Sequence, residues 1–266
     1  MPQNRYPTTP QRWMRPVLEW GDGWRQVLHF GAQLLVLALA PSSYRLVQRR
    51  RMLHAIYLAT MPLLPGFILI SAAAALIIIR IVLATALSYG LSRYALDVLV
   101  RTLVLELIPL SAALFAALRY AMPAGEQVRA MRLRGEFEAG LAAGRDPTRD
   151  TVLPRAVAGA FVVITLAVVS GAITLVLTYV SVYGFAIWGL EGFTRTVGQV
   201  FSPVIVLIFA LKTFFLSLAV AVIPMVPTPR ESVSGAARVN ADIIRLARLM
   251  AVVLLIEMVS LVGNYY

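Results

Sequence analysis

Ala156-Val-Ala-Gly-Ala-Phe-Val-Val-Ile-Thr-Leu-Ala-Val-Val-Ser-Gly-Ala-Ile-Thr-Leu-Val-Leu-Thr-Tyr-Val-Ser-Val-Tyr-Gly-Phe-Ala-Ile-Trp-Gly-Leu190 contains no charged residue. A helix needs about 20 mostly apolar residues to cross the hydrocarbon core of a bilayer. This run is longer than one crossing requires. It reads as one spanning helix ending near Tyr179, followed by an amphipathic stretch with Tyr183, Phe185, Trp188 and Phe193. Aromatic side chains of that kind sit at headgroup depth.

Four more segments have the length of a span. Ala55–Ile79 is uncharged. Leu96–Met122 carries Arg101, Glu106 and Pro109; Val200–Val226 carries Lys212 near its middle; Ile243–Gly263 opens with Arg245 and Arg248 and contains Glu257. The expected spans are residues 55–87, 96–122, 155–180, 200–226 and 243–263. Val27–Ala40 is apolar but short, and Trp13, Trp20 and Trp24 precede it among Arg12, Arg15 and Arg25. That pattern reads as an amphipathic helix lying in the interface plane. The fold class expected is therefore an all-α membrane protein. It has an N-terminal segment, residues 1–54, and one membrane domain, residues 55–266, with five transmembrane helices.

Composition agrees. Of 266 residues, 59% are hydrophobic and 14% charged, and mean hydropathy is +0.79. Soluble domains hold about 45–50% apolar and about 25% charged residues, so a soluble enzyme is excluded. The net charge of +11 would suggest nucleic acid in a soluble protein. Here basic cytoplasmic loops explain it, and no nucleic acid is expected. The chain has no Cys and only His29 and His54, which excludes disulfides, thiolate chemistry and a His-rich metal site.

The arginines orient the chain. Residues 1–54 carry eight, 119–155 seven and 230–248 four, whereas the alternate loops carry only Arg93 and Arg195. The positive-inside rule then places the N-terminus in the cytoplasm and the C-terminus in the periplasm.

Glu106 lies mid-span beside Pro109, where a carboxylate is costly unless it is paired or faces a polar cavity. It is a candidate to bind a headgroup, relay a proton, or pair with Arg101 or Arg80. Lys212 is the only lysine among 23 arginines. Pairing with Glu257 or Glu106 and lining a path for an anionic headgroup are both open readings. Residues 126–138 set Val128, Met131 and Phe137 among dense charges. They form either a docking helix or a solvated connector. The chain carries no phosphate-binding G-x-x-x-x-G-K-[ST], no H-E-x-x-H and no G-x-S-x-G, so no catalytic residue is expected on it.

Leu105-Glu106-Leu107-Ile108-Pro109, Ala112-Ala113-Leu114 and Arg119 resemble the second-span motif of the MlaE/YrbE permease family, R-E-L-G-P, A-A-L and G-R-x-G. Glu126, Met131-Arg132, Asp146-Pro147 and Pro154-Arg155 fall at that family's spacing. Ile208–Phe215 with Lys212 resembles its I-K segment, and Gly235 and Glu257 its closing segment, which usually has Asp at the Glu257 position. Leu105 stands where the family has arginine, Ile108 where it has glycine, and Leu118 and Ala121 where it has the glycines flanking Arg119.

The resemblance implies the permease subunit of an ABC-type phospholipid transporter in the inner membrane. Its implied partners are an MCE-domain protein, a separate ATPase that binds ATP and Mg, a second permease protomer (the same chain or a paralogue) and a STAS-like regulator. No cofactor is expected on this chain itself. The implied lipid-cavity positions are Ile78, Thr85, Ala86, Tyr89, Leu105, Glu106 and Leu107. A coupling helix over about 124–144 would meet the ATPase through Glu126, Met131, Arg132, Phe137 and Leu141. The rival readings are an ion-coupled secondary transporter using Glu106 and Lys212, and a membrane scaffold for an MCE assembly.

Overall fold

A computed structural model describes residues 9–41, 46–227 and 235–265. Every regular element among them is helical. Five helical columns are long and apolar enough to cross a membrane: Leu64–Ser88, Tyr94–Leu133, Thr148–Tyr183, Pro203–Met225 and Asp242–Asn264. The chain is an all-α, multi-pass membrane protein.

Helix α1 (Thr9–Leu39) is far longer than the expected interfacial stretch. Val27, Phe30 and Leu34 recur on one face and are buried against the bundle, while Leu28, Val36 and Leu39 on the other face are exposed. Helix α2 (Leu46–Thr60) is separate from α3 (Leu64–Ser88). The expected first span, 55–87, ran through this break. The cause is local: Pro62 and Pro65 lack the N–H groups that would carry the helix on, and residues 61–63 form a turn. Met52, Ala59 and Thr60 of α2 face inward, and Arg49, Arg50 and Arg51 face out.

The second column is continuous but unevenly wound. Helix α4 (Ser92–Leu99) passes into a π-helical stretch, Val100–Leu107, then α5 (Ile108–Ala116), a second π stretch, Ala117–Ala121, and α6 (Met122–Leu133). A third π stretch, Thr148–Val152, opens the third column before α8 (Leu153–Tyr183). Each ends two residues before a proline: Pro109, Pro123 and Pro154. A proline inside a helix cannot donate to the carbonyl four residues back, and its ring crowds that carbonyl. The chain answers by widening. The N–H of Ile108 bonds the Leu103 carbonyl, that of Met122 the Ala117 carbonyl and that of Leu153 the Thr148 carbonyl, each five residues back. Between α6 and α8, α7 (Glu136–Ala142) follows a break at Gly135, whose φ is +73°. The expected coupling helix over 124–144 is thus two helices, the first continuous with a span. The Asp146 carboxylate accepts from the backbone N–H of Thr148 (3.0 Å) and Arg149 (3.3 Å), which starts the third column.

Helix α8 sits at the centre, packed by α2, α3, α5 and α10 (Pro203–Val222). Small side chains make this possible: Ala156, Ala158, Gly159, Ala167, Ser170 and Gly171 are all buried on it. Without a solvent-driven hydrophobic force in lipid, such residues let helices approach closely enough for dispersion and hydrogen bonding to act. Ser71 of α3 donates to Ser170 at 3.2 Å. Helix α8 runs to Tyr183 rather than ending near Tyr179. Gly184, with φ +66°, then turns the chain, and the Tyr179 hydroxyl donates to the Ala186 carbonyl at 2.5 Å. Tyr179, Tyr183 and Phe193 pack on one another, while Phe185 and Trp188 stay exposed. Helix α9 (Leu190–Val200) follows, and Ser202 caps α10, with Pro203 in its first turn. The last helix, α11 (Gly235–Tyr265), lies along α10.

Candidate functional site

Pro109 sets up the site. Its missing N–H is the one that would have met the Leu105 carbonyl, and that carbonyl instead accepts from the Lys212 ammonium of α10 at 3.3 Å. The adjoining residue of the π stretch, Glu106, pairs with the same ammonium through Oε2. Glu257 of α11 pairs with it from the other side through Oε1 at 2.9 Å. An ammonium has three donors, and Lys212 spends all of them here. Asn264 donates to the second oxygen of Glu106 at 2.5 Å. The Lys212, Glu106 and Glu257 side chains are only 1%, 9% and 13% exposed. Three elements distant in sequence are therefore joined by one cation at membrane depth. A narrow crevice lined by Arg101, Leu105, Glu106, Ile205 and Asn264 reaches the cluster.

Of the partners considered for Glu106, Arg101 instead bonds Asp97 at 3.2 Å, and Arg80 is exposed. Lys212 takes both of its candidate partners. All three of its donors are engaged within the chain.

The seven implied lipid-cavity positions are spread out. Ile78 packs beside the buried Ala75, Ile79, Leu99 and Leu103. Thr85 and Tyr89 are exposed at the end of α3, with Ala86 half-buried. Leu105 is buried with Leu96, Phe193 and Val200. Glu106 belongs to the ionic cluster, and Leu107 is exposed. Within one chain they form no single wall.

A second ionic cluster lies where α6 meets the start of α11. Arg245 donates to Glu126 at 2.9 Å and lies 3.7 Å from Asp242. Arg129, almost wholly buried, lies 3.5 Å from Glu126 and 3.8 Å from Asp242. Beside it, Arg132 donates to the Met225 carbonyl at 3.4 Å and stacks over the rings of Phe137 (5.1 Å) and Phe30 (5.9 Å). Gly125 makes the close approach possible: a Cβ there would lie 2.3 Å from the Pro224 carbonyl oxygen. Of the residues expected to meet an ATPase, Glu126 thus faces inward, Arg132 and Phe137 hold α6, α7 and α1 together, Met131 is half-buried, and Leu141 is exposed.

Sequence reasoning missed Asn264, Asp242, Arg129 as a buried ion, and the freed Leu105 carbonyl. Two signals were present. Glu257, Ser260 and Asn264 stand at i, i+3 and i+7 of one helix and so share a face, and Pro109 stands four residues after Leu105.

Comparison with curated proteins finds no match. The family model described as permease MlaE matches residues 52–262. That stretch contains four apolar columns whole, the fifth up to its last two residues, and every charged residue of both ionic clusters, and on it the chain belongs to the permease MlaE family.

Proposed function

We propose that this chain is the membrane subunit of an ABC-type phospholipid transporter. It works in the inner membrane with a separate ATPase and an MCE-domain protein, beside a second permease protomer. The family match over residues 52–262 carries the reading. A transport subunit rather than an enzyme is what that family implies.

Several features of the bundle support it. The three arginine-rich segments meet at one end: Arg51 approaches Asp150 (3.9 Å), Arg132 lies over Phe30, and Arg245 bonds Glu126. In this reading that end is cytoplasmic. There α6 and α7 present Leu133 and Leu141 beside Arg134, Glu136 and Glu138, all exposed. A partner ATPase docks on this surface. Its movement reaches the spans without a flexible joint, because α6 continues the second column and is ion-paired to α11. At the far end Thr85 and Tyr89 face out from the single chain, and Leu107 does so deeper in the span. A lipid held between two protomers would meet apolar walls with a tyrosine hydroxyl near its phosphate. A STAS-like regulator would belong to the cytoplasmic side.

The test is reconstitution. The complex purified through this chain should carry phospholipid by mass spectrometry and should move labelled phospholipid in proteoliposomes only with ATP. Transfer driven by an ion gradient without any ATPase would favour a secondary transporter. An absence of both bound and transferred lipid would leave a scaffold.

A further inference from the structure

The cluster around Lys212 does not balance its charge. The π stretch brings one carboxylate, Glu106, and α11 brings a second, Glu257, while α10 brings the single cation. Among the described residues, no other cation pairs with either carboxylate. Arg101 of the π stretch lines the crevice beside Glu106 but spends its Nε on Asp97 of α4 at 3.2 Å rather than on either carboxylate of the cluster. Helix α5 has no charged residue, and α8 has none beyond Arg155. On α9, Glu191 and Arg195 are of opposite sign and exposed, and Arg80 of α3 is exposed. With both carboxylates ionised, the cluster would hold a net negative charge at membrane depth, which is costly wherever water is excluded.

The hydrogen bonding is short in the same direction. Every Lys212 donor is used, yet among the described residues Glu257 Oε2, the Ser260 hydroxyl and Asn264 Oδ1 are buried without a partner. They lie along one face of α11, and Ser260 is 6% exposed. Two of these atoms are acceptors only, so the site is short of a donor as well as of positive charge. The crevice leading to Glu106 is narrow, and the missing charge is met with the least room by the smallest cation. A proton fits.

We propose that Glu106, Lys212 and Glu257 form a binding site for one proton, held on the carboxylate pair at neutral pH. The proton is taken from water and returned to it, and no other bond changes. Placed on Glu257 Oε2, it turns an orphan acceptor into a donor one helical turn from the Ser260 hydroxyl. The neutral cluster holds the π stretch, α10 and α11 together, and losing the proton loosens that seam. A group protonated in the folded state stabilises the fold at low pH, and that contribution disappears as pH rises through its folded pKa. The inference rests on the cluster alone and does not require the transport reading.

Infrared spectroscopy of the full chain in nanodiscs tests it, because a protonated carboxyl has a C=O stretch that a carboxylate lacks. The expected result at neutral pH is one carboxylic-acid equivalent per chain, lost on raising the pH. It should vanish in Glu257→Gln and equally in Glu106→Gln, since either leaves one carboxylate against one ammonium. The melting temperature of the wild type should fall at alkaline pH relative to Glu257→Gln. No acid band in the wild type, or a band surviving in both variants, overturns the proposal. Should neither variant fold, the pH dependence of the wild-type band decides alone. Stabilisation by sodium or ethanolamine without an acid band also overturns it.

Discussion

Helix α11 carries two ionic clusters built from the same residue types under different rules. Near its start, Arg245 and Arg129 face Glu126 and Asp242, two charges against two among the described residues. Twelve residues on, roughly 18 Å along the helix, Glu257 and Glu106 face one Lys212. The acids of the first cluster are 35% and 33% exposed, those of the second 9% and 13%. Water reaches and screens the acids of the first. Nothing does so for the second, so every donor and every charge there must be matched by the protein. The balanced cluster suits a joint that is loaded repeatedly from outside. The unbalanced one suits a latch with two states.

The largest expected effect is at the unbalanced end. Lys212→Met leaves two carboxylates and the Leu105 carbonyl facing each other, and should cost about 3–5 kcal/mol, read as thermal unfolding in nanodiscs. Adding Glu257→Gln should return part of that loss, and an unchanged midpoint in the single variant would mean that Lys212 is hydrated. Arg245→Gln tests the other end and should cost roughly 1.5–3 kcal/mol, the worth of a hydrogen bond to a charged group. If it matches Lys212→Met, the contrast between the clusters is gone. Gly125→Ala sets a Cβ against the Pro224 carbonyl oxygen and should cost about 1–3 kcal/mol by overpacking. It should also lower ATPase association by displacing α6. The smallest effect on stability belongs to Leu141→Asp, within about 0.5 kcal/mol as for other exposed sites. Co-purified ATPase should nonetheless fall sharply, and normal stoichiometry would place the docking surface elsewhere.

The five columns and the pairing of Lys212 with both carboxylates were legible because burial at membrane depth leaves charges few options. Hydropathy was blind where backbone chemistry decides. It ran the first span through Pro62 and Pro65, since proline does little to an apolar average, and it gave α6 its own start although the helix never stops. Glu126 and Arg132 read as surface charges because sequence shows only their neighbours along the chain, not the α11 and Ile223–Met225 segments that cover them. Asn264 went unread, because only the folded position of Glu106 gives it a partner.

The three widened stretches have one more consequence. A regular helix advances about 100° per residue, and a turn closed five residues back instead of four takes up one residue more. Each widening therefore resets the angular phase of everything beyond it. Heptad-style counting from Leu96 to Leu133 misassigns faces after Leu107 and again after Ala121. A one-residue deletion inside Val100–Leu107, combined with Pro109→Ala, would return that column to ordinary winding without shifting the register of the helices around it. Because it removes only the residue that the wide turn takes up, such a deletion leaves both halves of the span facing the neighbours they face now, whereas the same deletion in ordinary winding turns everything beyond it by about 100°.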